Sequence, residues 1–122
     1  MYTSSNGQNA LHFDGTNDYV QTNCPGVLGS ANRTFEAWIN INSGASTFTN
    51  RAILDYGLNA VGSRNTFLIR PSTGQISFIS GGVNTNISSS NNVISVNQWI
   101  HVAFVLNSGT GYLYVNGTQV GT

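Results

Sequence analysis

Lysine does not occur in this chain, and glutamate occurs once, at Glu36. Charged residues make up 7% of the 122 residues, four basic and four acidic, for a formal net charge of zero. Every basic side chain is an arginine (Arg33, Arg51, Arg64 and Arg70), and the four are scattered. A neutral chain with isolated arginines lacks the patch that offsets phosphate charge, which argues against nucleic acid as a partner. It also lacks the polybasic segment that would hold it on an anionic membrane. No apolar run approaches the roughly 20 residues needed to cross a bilayer, so no membrane insertion is expected. Met1 to Asn9 is polar and offers neither the basic nor the apolar region of a secretory leader. Cys24 is the single cysteine, so no internal disulfide can form. With no cation beside it in Asn23-Cys24-Pro25, it reads as a small part-buried hydrophobe rather than a reactive thiol.

What is present is enough to build a core. Hydrophobic residues make up 39% and 14 glycines add to them, an ordinary globular fraction. The exterior must then be Asn, Ser, Thr and Gln rather than charge. The length fits one domain. Strand periodicity runs through most of it. Ala10-Leu11-His12-Phe13 and Asp18-Tyr19-Val20-Gln21 are short extended runs on either side of the turn Gly15-Thr16-Asn17. From Thr34 to Ile41 the residues alternate: Phe35, Ala37, Ile39 and Ile41 share one face, and Glu36, Trp38 and Asn40 the other. Arg51–Gly57 predicts a strand, and Asn65–Arg70 and Gln75–Ser80 predict a hairpin closed by Pro71-Ser72-Thr73-Gly74. Trp99–Leu106, rich in β-branched residues, predicts a central strand. Asn107 to Gly111 leads to Tyr112–Val115. Asn116-Gly117 then predicts a type I′ hairpin turn into Thr118-Gln119-Val120. Asn84 to Asn92 has no periodicity and reads as a loop or an edge. No window shows capped helical spacing. The expectation is an all-β, two-sheet antiparallel sandwich.

Three stretches together resemble the bacterial laminin-G-like jelly-roll family of the concanavalin A-like lectin/glucanase superfamily. They are Ala10-Leu11-His12-Phe13-Asp14-Gly15-Thr16-Asn17-Asp18-Tyr19-Val20, Phe35-Glu36-Ala37-Trp38-Ile39, and Trp99-Ile100-His101-Val102-Ala103 continuing to Tyr112-Leu113-Tyr114-Val115-Asn116-Gly117. The resemblance implies a jelly-roll β-sandwich over residues 1–122, in the secreted or cell-surface proteins where such modules occur. It also implies that the family's closing strands, with their acidic segment, lie beyond Thr122 or come from another chain. A sheet edge left open by their absence favours self-association. Fold alone implies no chemistry.

Catalysis finds little support in the residues. Glycosidases of this fold use paired carboxylates, but the strand holding Glu36 has no second acid, and nothing in the sequence brings Asp55 to it. No Gly-x-Ser-x-Gly elbow occurs. His12 and His101 read as structural strand residues, without zinc spacing. No catalytic residue is assigned. Asp14, Asn17 and Asp18 supply hard oxygen atoms within one turn, a set suited to structural Ca²⁺ or simply to turn formation. The resemblance favours calcium, since many relatives carry one near this region. Sugar binding requires exposed aromatic platforms with amides and carboxylates. Tyr19, Tyr56 and Tyr112 are the candidate ligand-binding residues, with Phe48 and Tyr114 as further material. Trp38 and Trp99 lie in apolar strand patterns and read as core. Glu36 is expected to pair with an arginine, Arg51 or Arg70. Three Asn-x-Ser/Thr sequons begin at Asn32, Asn86 and Asn116, as chance predicts in so amide-rich a chain. The reading is a non-catalytic adhesion or binding module, with glycans or neighbouring extracellular domains as partners. A structural, self-associating spacer is the alternative, and a glycoside hydrolase a remote one.

Overall fold

Alternating apolar residues separated by glycine- and asparagine-rich turns give a nearly all-β chain. The computed structural model describes residues 2–5, 8–43, 50–81 and 86–122, among which there is no α-helix. Phe48 and the Asn84 end of the polar run lie outside the described residues. The strands are β1 (Tyr2–Ser5), β2 (Gln8–Leu11), β3 (Arg33–Asn40), β4 (Arg51–Gly57), β5 (Arg64–Arg70), β6 (Gln75–Ile79), β7 (Ile87–Ser88), β8 (Trp99–Asn107), β9 (Thr110–Val115) and β10 (Thr118–Gly121). β1 and β2 pair as a hairpin. The rest form two four-stranded antiparallel sheets, ordered β10-β9-β8-β3 and β4-β5-β6-β7. We call these the β8 sheet and the β5 sheet.

The sheets stack through their inward residues, as the period of two requires. From the β8 sheet come Ile100, Val102, Phe104, Leu113 and Val115. From the β5 sheet come Phe67, Ile69, Ile76 and Phe78, and Ile41 and Ile94 complete the buried cluster. The Phe78 and Phe104 rings stack across the layers with centroids 3.7 Å apart, and Phe35 packs against both. Gly111 lets β9 pass close over β7, since a Cβ there would displace the end of the Ile87 side chain.

The hairpins follow the turn chemistry. Asn116 and Gly117 have φ of 48° and 79°, the left-handed pair of a type I′ turn, and Ser108-Gly109 repeats it at 50° and 82°. The strand expected at Asp18–Gln21 is absent, and from His12 to Asn32 the chain joins no ladder among the described residues. Side chains tether this segment instead. Tyr56 Oη donates to Val27 O, Arg33 Nη1 donates to Gly29 O and Ala31 O, and Ser108 N donates to Asn32 Oδ1. Cys24, expected part-buried, is exposed for the same reason: its segment lies on no sheet. His12 likewise falls just past β2, exposed rather than in a strand.

β3 and β4 form edges of the two sheets on the same side of the sandwich, since Phe35 of β3 meets Tyr56 of β4 edge-on at 5.7 Å. Between them opens a groove of about 370 Å³ lined by Phe35, Ala37, Ile53, Leu54 and Phe67 with Thr34 and Glu36.

Candidate functional site

Register determines what the β8 sheet presents outward. β3 pairs with β8 so that Glu36 lies opposite Ala103, Trp38 opposite His101 and Asn40 opposite Trp99. β9 continues the rows, with Tyr112 opposite Val105 and Tyr114 opposite Ala103. β10 then places Gln119 opposite Tyr114. Because Phe35, Ile100, Val102, Phe104 and Leu113 point into the core, the alternate residues point away from it. The outer face therefore gathers Trp38, Trp99, Tyr112, Tyr114, Glu36, His101, Asn40 and Gln119 on four neighbouring strands.

This corrects the expectation that both tryptophans are core. Trp38 is 65% exposed and Trp99 47%. The β3 alternation carried the signal, since Trp38 shares its face with Glu36 and Asn40. For Trp99, reading its strand as an unbroken apolar run concealed the alternation. Glu36 also departs from expectation. It pairs with neither Arg51 nor Arg70; its Oε2 lies 3.5 Å from His101 Nε2. The His101 ring in turn packs on Trp38, with centroids 5.3 Å apart and planes tilted by 58°. His101 is held from behind: its N donates to Asn116 Oδ1, and Asn116 N donates to its carbonyl. The turn residue thus fixes the backbone beneath the platform.

The candidate tyrosines separate. Tyr112 stands on this face with Tyr114, both half-buried. Tyr56 turns inward against Phe35, its hydroxyl engaged by Val27. Tyr19 is 78% exposed on the His12–Asn32 segment. The sequon asparagines all serve the fold, since the Oδ1 atoms of Asn32, Asn86 and Asn116 each accept from a backbone N–H.

In the turn expected to favour calcium, Asp14 N donates to Asp18 Oδ2 at 3.0 Å and Thr16 N donates to Asp14 Oδ1 at 2.7 Å. The Arg51 guanidinium lies against Gly15, where an added Cβ would meet its Nη1. Two carboxylates thus share the turn, each already accepting from an amide, with a cation beside them. Asp55 belongs to a separate network on the β5 sheet. Thr66 Oγ1 donates to Asp55 Oδ1 at 2.6 Å, Arg64 Nε donates to Thr66 Oγ1 at 2.7 Å, and Arg64 Nη1 donates to Asn59 Oδ1.

Fold and face define a lectin-like β-sandwich with an aromatic, amide-bearing sheet surface. A laminin-G family model, described as the concanavalin A-like lectin/glucanases superfamily, matches residues 14–122. The chain belongs to that family. No curated protein and no solved structure matches it significantly. Membership suggests a carbohydrate-binding or adhesion-type module of the kind found in extracellular proteins, in a superfamily that also includes glycosidases. No helix among the described residues is long and apolar enough to cross a membrane.

Proposed function

We propose that this chain is a non-catalytic glycan-binding module of a secreted or cell-surface protein, and that the outer face of the β8 sheet is its platform. The observation that carries this reading is Trp38, whose indole stands largely in water beside a carboxylate and a histidine. A broad aromatic face covers the C–H side of a pyranose, while Glu36, Asn40 and Gln119 accept or donate to its hydroxyls. A non-catalytic role is supported by the dispersion of the acids. Glu36 and Asp55 lie on strands of different sheets, both at outward positions, while Asp14 and Asp18 share the N-terminal turn. No two of them flank a common cleft of the kind that glycoside hydrolysis uses.

Affinity electrophoresis in gels containing neutral polysaccharides tests the reading. Wild type is retarded, and Trp38→Ala loses about tenfold in affinity, roughly 1.4 kcal/mol, with its melting temperature within about 2 °C of wild type, as for an exposed side chain. Wild type running unretarded in every gel contradicts the reading.

A second reading, a self-associating spacer, is favoured by one observation: the β3 and β4 edges flank an apolar groove. Calcium at Asp14, Asn17 and Asp18 is a separate proposal, supported by the two carboxylates that the turn brings together and opposed by their existing amide partners.

A further inference from the structure

The platform's charge pattern specifies which glycans it takes. Among the outward strand residues of the β8 sheet, Glu36 is the one formal charge, and its side chain is 68% exposed. The titratable groups facing it are His101 on β8 and the phenols Tyr112 and Tyr114 on β9; β10 contributes the neutral Gln119. None of the four arginines stands at an outward position of this face. Arg33 is at an inward position of β3 and donates to the loop before it, while Arg51, Arg64 and Arg70 belong to β4 and β5.

We infer that this face selects uncharged glycans over anionic ones, and that Glu36 sets the selection. Glu36 gives the face its formal negative charge, so a carboxylated or sulfated chain laid across Trp38 brings like charge against it. Two such charges a few ångströms apart in water cost enough to weaken binding by about fourfold at low salt. His101 Nε2 stands 3.5 Å from Glu36 Oε2 and its ring packs on Trp38 with centroids 5.3 Å apart, so the carboxylate is held beside the indole over which a bound chain would lie.

The inference rests on the glycan reading, and one experiment separates the two. A panel of neutral β-glucan, xylan and galactomannan, each paired with its carboxymethylated form, is titrated against the full chain by affinity electrophoresis at pH 8 in low and in high salt. The expected result is preference for each bound neutral polymer over its anionic form by about fourfold or more in low salt, shrinking to less than about twofold in high salt, where the charges are screened. Glu36→Gln narrows the ratio in low salt. Circular dichroism of the variant confirms the fold. Equal retention of neutral and anionic forms by wild type in low salt, or an unchanged ratio in Glu36→Gln, overturns the inference and leaves the glycan reading standing. Retention of no neutral polymer overturns the glycan reading and the inference with it.

Discussion

Trp38 and Asn65 show how single side chains can reverse the ordinary assignment of their type. A tryptophan in an apolar strand pattern is usually buried, yet the β3 alternation turns Trp38 outward beside Glu36 and Asn40. Asn65 is the converse. It is 1% exposed, shares the inward side of β5 with Phe67, and neither atom of its amide has a hydrogen-bond partner among the described residues. An unpaired buried amide costs about 1–3 kcal/mol, and an apolar residue of similar shape removes that cost. Asn65→Leu is therefore expected to raise stability by about 1 kcal/mol, read as an increase in melting temperature of a few degrees. A loss of stability would mean that the amide is satisfied in solution. The calcium proposal is also decided at this scale. An ion held by Asp14, Asn17 and Asp18 stabilises the fold by about 2.7 kcal/mol at a hundredfold excess over Kd, read as a higher melting temperature in millimolar calcium than in excess chelator. Superimposable melts would leave the three residues as turn formers.

At the scale of the strands, local chemistry made most of the fold legible. Asn116-Gly117 announced its hairpin because only residues tolerant of positive φ fit there. Arg51–Gly57 was delimited by its turn residues and observed over the same span. The failures share one cause. Asp18–Gln21 has a strand's composition, but a strand also needs a neighbour to accept its ladder, and neighbours are set by tertiary pairing. The pairing of Glu36 with His101 was hidden for the same reason, since the two are 65 residues apart in the chain and meet only because β3 lies beside β8. Edges have consequences too. On β3 the groove-lining residues include no lysine or proline, the residues that ordinarily protect an exposed edge. If the β3 and β4 edges mediate self-association, light scattering after size exclusion shows a mass rising with concentration, and Ala37→Lys restores the monomer. A constant monomer mass up to about 10 mg/ml would remove the spacer reading.

For the molecule as a whole, the near absence of charge and the two-layer architecture belong together. Inward residues of both sheets supply the stability, so the outer surface is free of any need for ion pairs. One sheet uses that freedom to display aromatic and amide groups side by side. The composition indicated a contact surface, and the family match agrees with it. Placing the proposed platform on the β8 sheet required the register, because tryptophan's usual burial pointed elsewhere.

Both tryptophans of the chain, Trp38 and Trp99, stand on the proposed platform, which makes intrinsic fluorescence a direct reporter of it. Titration with a neutral polysaccharide that retards the protein should shift the emission to shorter wavelength and saturate with the same affinity as the retardation. Retardation that leaves the tryptophan emission unchanged, and persists undiminished in Trp38→Ala, would place the binding surface elsewhere and contradict the central claim.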